Sequence, residues 1–156
     1  MKKKETVCSK IKSAWHGISR MYNGKASVYN STSAVGFVLL NIDKENGTPA
    51  TKIAPLLGLE TRSLTRMLKS MEEKNLIYRE ADQHDKRKVN IFLTEEGKKK
   101  REISRAEVKN FNNLVKEQVE ENDLKVFFEV LNKIAEITEL NSTKVINNNQ
   151  LNINKL

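Results

Sequence analysis

The chain has 156 residues, 38% of them hydrophobic, with 28 Lys and Arg against 20 Asp and Glu for a net charge of +8. One cysteine excludes an intramolecular disulfide and a cysteine-rich zinc site, and the two histidines, His16 and His84, form no metal-spacing motif. The longest apolar stretch, Ala34 to Leu40, is too short to span a bilayer, and no signal-peptide pattern follows the basic N-terminus. The expectation is a cytoplasmic protein off the membrane, without a cofactor or metal, whose basic balance suits a polyanionic partner.

Taken in chain order, Val7, Ile11, Ala14, Trp15, Ile18, Met21 and Tyr22 recur at steps of three and four. That spacing predicts a helix over 5–24, ended by Gly24. A second helix is predicted over 32–44, with Val35, Val38, Leu39 and Ile42 on its apolar side and Asn46-Gly47 as the turn after it. Thr51 to Leu57 reads as a short helix buried through Ile53, Ala54, Leu56 and Leu57, with Pro55 near its start and Gly58 at its end. The next helix runs from about Glu60 to Lys74 and buries Leu64, Met67, Leu68 and Met71, with Asn75 supplying a left-handed cap.

Leu76 to Glu80 and Val89 to Leu93 then read as two short strands. In the second, Val89, Ile91 and Leu93 share one face and Phe92 takes the other. The hairpin tip between them carries Lys86, Arg87 and Lys88. Thr94 suits a helix N-cap, with Glu95 and Glu96 in the first turn where the helix dipole favours anions. A long polar helix follows from Glu95 to about Val119, and a last helix carries Leu124, Phe127, Phe128, Leu131, Ile134, Ala135 and Leu140. Residues 141–156 are Asn-rich and predict a tail of weak structural preference.

The order of elements is that of a mostly α fold with a small β-hairpin wing. Ala54, Gly58 and Leu64 fit a helix-turn-helix: a small residue at the crossing, a glycine at the left-handed turn and an apolar anchor in the second helix. The segment Leu64-Thr65-Arg66-Met67-Leu68, followed by Asp85-x-Arg87 and by Leu93-Thr94-x-x-Gly97, resembles the MarR family of bacterial transcriptional regulators. The likeness covers roughly residues 5–140, with Asn75 where the family usually has glycine. It implies a winged helix-turn-helix over 33–101, framed by N-terminal (1–32) and C-terminal (102–140) dimerisation helices. Homodimers would read a pseudopalindromic operator in double-stranded DNA, each second motif helix entering a major groove.

On that reading Thr61, Arg62, Ser63, Thr65, Arg66 and Lys69 form the DNA face of the recognition helix, and Lys86, Arg87 and Lys88 serve the wing. Arg and Lys neutralise phosphate or bind guanine, and Ser and Thr donate to phosphate oxygens. Asp85 is expected to hold a nearby arginine rather than touch DNA, and Arg66 to pair with the wing or a neighbouring acid. Lys98-Lys99-Lys100-Arg101 reads as a solvated helix face. The resemblance also suggests a small-molecule effector pocket lined by Trp15, Tyr22, Tyr29 and Phe37, although aromatics at this spacing also suit plain core. The function expected is a homodimeric repressor released by an effector. The competing readings are a regulator sensing oxidant through Cys8 and a winged-helix interaction module without DNA binding. An enzyme is not expected: the chain has no phosphate-binding glycine loop, ligand cluster or nucleophile with a base.

Overall fold

The computed structural model describes residues 5–82, 85 and 88–153, with side-chain surroundings through residue 142. Two compact units emerge, residues 1–109 and residues 110–156. In the first, α1 (Val7–Ser27) opens on a capping box: Ser9 N donates to Thr6 Oγ1 and Thr6 N to Ser9 Oγ. The helix runs past Gly24, which stays helical and crowds nothing. The left-handed residue of the exit is instead Asn30 (φ 52°), and Ser31 N closes the turn on Ala26 O.

α2 (Ser33–Leu40) is shorter than the sequence predicts. Asn41 turns its amide back onto Phe37 O, and Asp43 Oδ1 accepts from Glu45 N and Asn46 N. These short polar side chains offer the backbone an alternative to helix, so the chain leaves α2 there. Gly47 follows in the left-handed region, its Cα so close that a Cβ would meet the Phe92 ring at 2.7 Å.

Next come a two-residue strand, β1 (Thr48–Pro49), and α3 (Ala50–Leu56). Pro55 sits in the last turn of α3 rather than near its start. The amide bond it cannot make would have gone to Thr51, an exposed residue whose carbonyl water can reach. Ile53 and Ala54 are buried, but Leu56, expected in the core, is 64% exposed. A seven-residue helix has one inward stripe, and Leu56 falls outside it. Gly58 (φ 59°) ends α3 in a Schellman turn, with Leu59 N on Ala54 O and Gly58 N on Pro55 O.

α4 (Thr61–Glu73) buries Leu64, Leu68 and Met71, and Asn75 (φ 55°) ends it with the same pair of bonds, Leu76 N to Met71 O and Asn75 N to Glu72 O. β2 (Ile77–Ala81) and β3 (Val89–Leu93) pair antiparallel, from Ile77 opposite Leu93 to Ala81 opposite Val89. β1 adds to the far side of β3, making a three-stranded sheet in the order β1-β3-β2 where the sequence shows only a hairpin. Pro49 is tolerated because β1 is an edge. The core of this winged helix joins Val38, Leu39 and Ile42 with Ile53, Leu64, Leu68, Met71, Ile77, Ile91 and Leu93.

α5 (Glu95–Gln118) starts where the sequence places it, Gly97 N donating to Thr94 Oγ1 at 3.0 Å. In the second unit, α6 (Glu121–Ile153) continues through most of the segment expected as a tail. Once a helix is nucleated, each added residue gains a bond without paying for a nucleus, and this carries even an Asn-rich stretch. Among the described residues from 110 to 142 none is buried, and Phe127, Phe128, Val130, Ile137 and Leu140 are exposed. No helix of the described residues is long and apolar enough to cross a membrane.

Candidate DNA interface

α4 divides cleanly by side-chain chemistry. Leu64, Leu68 and Met71, at steps of four and three, bind it to the core, with Met67 half-buried beside them. Thr61, Arg62, Ser63, Thr65, Arg66 and Lys69 are all exposed on the other side. Arg62, Arg66 and Lys69 also follow a step of four and three, so three cations line one edge of the helix. The sequence expectation that Arg66 pairs with an acid is not met: among the described residues it has no ionic partner. Thr65 differs from its neighbours in a further respect. Its hydroxyl donates to Thr61 O at 2.9 Å, so its proton is used inside the helix and its lone pairs face outward.

The wing is organised from within by a residue that the sequence reading passed over. Asp82 Oδ1 accepts from Asp85 N at 3.0 Å, and Asp82 Oδ2 from Asn90 Nδ2 at 3.1 Å. Asp82 N donates to Lys88 O and Lys88 N to Asp85 O, closing the tip. The available signal was Asp three residues before Asp85, the spacing of a side chain capping a turn. Asp85 has Lys88 Nζ at 3.6 Å as its described cation, and Lys88 is exposed. Lys86 and Arg87, together with the arginine contact expected of Asp85, lie outside the described residues. At the inner end of the wing Tyr78 stacks on Phe92, centroids 5.4 Å apart.

A cavity of about 50 Å³ lies in the same unit, bordered by α1, α2 and α5. Of the aromatic residues singled out in the sequence, Tyr22, Tyr29 and Phe37 line it and Trp15 does not. Trp15 is 52% exposed, with its ring 6.0 Å from Phe37. It lies about two turns before Tyr22 on the same face of α1, and both rings pack on Phe37, Tyr22 at 5.7 Å. Charged groups missed at the sequence level also border the cavity. Lys25 forms an ion pair with Glu107, and Lys100 Nζ donates to Tyr29 O at 2.8 Å. Burial, and then the Glu107 carboxylate, push the Tyr22 phenol above its ordinary range. Lys98, Lys100 and Arg101 are half-buried and Lys99 is exposed, so the basic run 98–101 is only partly the solvated face expected of it. Its residues fall at successive 100° steps, which necessarily turns some of them inward.

Cys8 is exposed near the start of α1. About four helical turns, ~21 Å, separate it from Tyr22 along α1, so the two cannot touch within one chain. Among the described residues no group of His, Cys, Asp and Glu is arranged to hold a metal ion.

These features have counterparts in known proteins. The family model described as MarR family matches residues 32–89. The chain is 33% identical to the HTH-type transcriptional regulator MgrA of Staphylococcus aureus over 113 residues, 72% of this chain and 74% of that protein. It is 32% identical over 92 residues to the HTH-type transcriptional regulator TtmR of Methylorubrum extorquens (strain PA1), covering 59% of this chain and 47% of TtmR, about half that relative's length. In fold it is similar to S. aureus MepR in a MepR–DNA complex, with a TM-score of 0.79 at 23% identity over 86% of this chain and 99% of MepR. It is also similar to a MarR protein from Peptoclostridium difficile DA00132, with a TM-score of 0.80 at 14% identity over 92% and 94% of the two chains. The exposed face of α4, the wing beside it and these matches place the chain in the MarR family of DNA-binding transcriptional regulators, which are not enzymes.

Proposed function

We propose that the chain acts in the cytoplasm as a homodimeric repressor that binds a pseudopalindromic operator and lets go when a small molecule binds. The observation that carries this reading is the exposed edge of α4, where Arg62, Arg66 and Lys69 stand opposite the buried stripe Leu64, Leu68 and Met71. A helix anchored on one side and cationic on the other is suited to a major groove, with Lys86, Arg87 and Lys88 of the wing reaching the flanking backbone or minor groove. Residues 33–101 would be the DNA-binding domain.

Dimerisation through residues 1–32 and 102–140 is supported by apolar side chains that one chain leaves uncovered. Val7, Ile11 and Trp15 on α1 are exposed, as are Phe127, Phe128 and Val130 on α6. Exposed apolar faces rimmed by polar residues mark interaction surfaces. Two recognition helices related by a dyad would then meet half-sites about 10 base pairs apart. The cavity beside Tyr22, Tyr29 and Phe37 is the place for the effector, which would favour a dimer with the helices wrongly spaced.

Gel-shift titration against the chain's own upstream DNA tests the central claim. Saturable binding that survives competition by scrambled duplex is expected. Equal affinity for both duplexes would remove sequence-specific binding from the reading. Sedimentation at micromolar concentration tests the dimer, and a monomer there would remove it.

A further inference from the structure

The outer half of the wing has almost no core beneath it. In β2 only Ile77 is buried, and residues 78–81 are exposed. In β3 the buried positions are Ile91 and Leu93, while Val89 at the outer end is exposed. Side chains alternate along a strand, so Arg79 leaves β2 on the same face as Ile77, one step further out. There its guanidinium forms an ion pair with Glu72, Nε 3.1 Å from Oε2, with 34% and 43% of the two side chains exposed. Among the described residues neither has another ionic partner.

The position of Glu72 is otherwise hard to account for. It lies in the last turn of α4, three residues after Lys69, between the row Arg62, Arg66, Lys69 and the buried stripe. A carboxylate near a helix C-terminus opposes the helix dipole. Beside a cationic row facing a polyanion it also repels the partner. Neutralised by Arg79, it ties the end of the recognition helix to the wing at the point where the hydrophobic core stops.

We infer that the Glu72–Arg79 ion pair is a positioning device that sets the angle of the wing against α4, so that helix and wing meet the DNA together. The inference rests on the DNA-binding reading for its consequence, but the positioning itself shows without DNA. It makes a prediction opposite to that of simple charge. Were Arg79 only a phosphate contact, removing the nearby acid in Glu72→Gln would strengthen binding. As a positioning pair, Glu72→Gln weakens it despite the gain in positive charge.

The test uses full-length protein with Glu72→Gln, Arg79→Gln and the charge-swapped double variant Glu72→Arg/Arg79→Glu, whose net charge equals that of the wild type. Hydrogen-exchange mass spectrometry is read first, without DNA. Each single variant should exchange faster in peptides spanning 77–93 and not elsewhere, and the swap should restore protection. Affinity for the upstream duplex should fall about two- to fivefold in each single variant and recover in the swap. Unchanged exchange, or an increase spread evenly over the chain, overturns the inference, as does tighter binding by Glu72→Gln. If the wild type binds no duplex, the DNA reading falls, and the exchange result alone decides whether the pair positions the wing.

Discussion

Gly97 approaches the backbone of Leu76 so closely that a Cβ built on it would lie 1.9 Å from the Leu76 carbonyl oxygen. That carbonyl already accepts from Thr94 N at 3.1 Å, Thr94 Oγ1 donates to Asn75 O at 2.6 Å, and Gly97 N donates to Thr94 Oγ1 at 3.0 Å. The motif Leu93-Thr94-x-x-Gly97 is therefore the joint at which the end of α4, the base of the wing and the start of α5 are fastened. Backbone sits against backbone here, so no side chain can swing aside to make room.

Gly97→Ala should lower stability by about 1–3 kcal/mol, at the upper end of that range. Gly24→Ala is its control. Gly24 lies inside α1 with nothing near its Cβ position, and alanine there should raise stability by about 0.4–1 kcal/mol by restricting the unfolded chain. Urea unfolding of both variants checks the pair. A neutral Gly97→Ala would mean that the joint is not tight.

The two ends of the helix-turn-helix make a second comparison. Gly58 and Asn75 both adopt positive φ and both close Schellman turns. Gly58→Ala should cost roughly 1–2 kcal/mol, the penalty for adding a Cβ in the left-handed region, and Asn75→Ala should cost less, because Asn75 already carries a Cβ and loses only the ease with which Asn adopts that conformation. Asn75→Gly should stay within about 0.5 kcal/mol of the wild type, since both residues accept that conformation. Thermal melts of the three variants separate these outcomes, and an Asn75→Ala variant as stable as wild type would contradict the turn geometry.

What the sequence made legible follows from how local each signal is. The stripe of α4, the N-cap at Thr94 and the alternation of Val89, Ile91 and Leu93 depend on near neighbours, and each has its counterpart in the fold. β1 was not legible, because two residues including a proline carry no alternation; they become a strand only through pairing with β3. The end of α2 was misplaced because Asn41 and Asp43 act through hydrogen bonds that no apolar pattern records. At the candidate site the exposed cations of α4 could be read from periodicity. The Lys25–Glu107 and Glu72–Arg79 pairs could not. The first links residues far apart in sequence, and the second requires the turn geometry between helix and strand. Trp15 was expected at the cavity from the resemblance; its ring packs on Phe37 but is not among the lining residues.

Acid should loosen the winged helix. Three carboxylates are held below their ordinary range: Glu102 by its bond to Lys44, Asp43 by the amides of Asn46 and Glu45, and Glu95 by Lys98. A carboxylate whose pKa is lower folded than unfolded contributes stability above the unfolded value, and the contribution disappears as pH falls through the folded value. The melting temperature should therefore be flat near neutrality and fall below about pH 4. All three groups are open to solvent, so the effect should be modest and should shrink in added salt. Glu102→Gln should flatten part of the acid limb. A melting temperature that rises on acidification would contradict the assigned directions.

The recognition helix can be divided by salt. Arg62 lies in the first turn of α4, where side chains reach base edges, and Arg66 lies one turn on, exposed and without an ionic partner among the described residues. If Arg62 reads a base, Arg62→Ala should cost about 1–3 kcal/mol on the operator and relax preference at one position. If Arg66 meets phosphate, Arg66→Ala should weaken operator and scrambled duplex alike and reduce the salt slope by about one unit. Because Arg66 holds no acid in the free protein, its removal should leave the melting temperature unchanged, which separates a DNA role from a structural one. Binding isotherms at several salt concentrations on both duplexes, with a melt of each variant, provide the comparison. Equal loss on both duplexes for Arg62→Ala would move the base contact to Thr61 or Thr65. Of those two, Thr61 would be the donor, because the Thr65 hydroxyl proton is already engaged by Thr61 O.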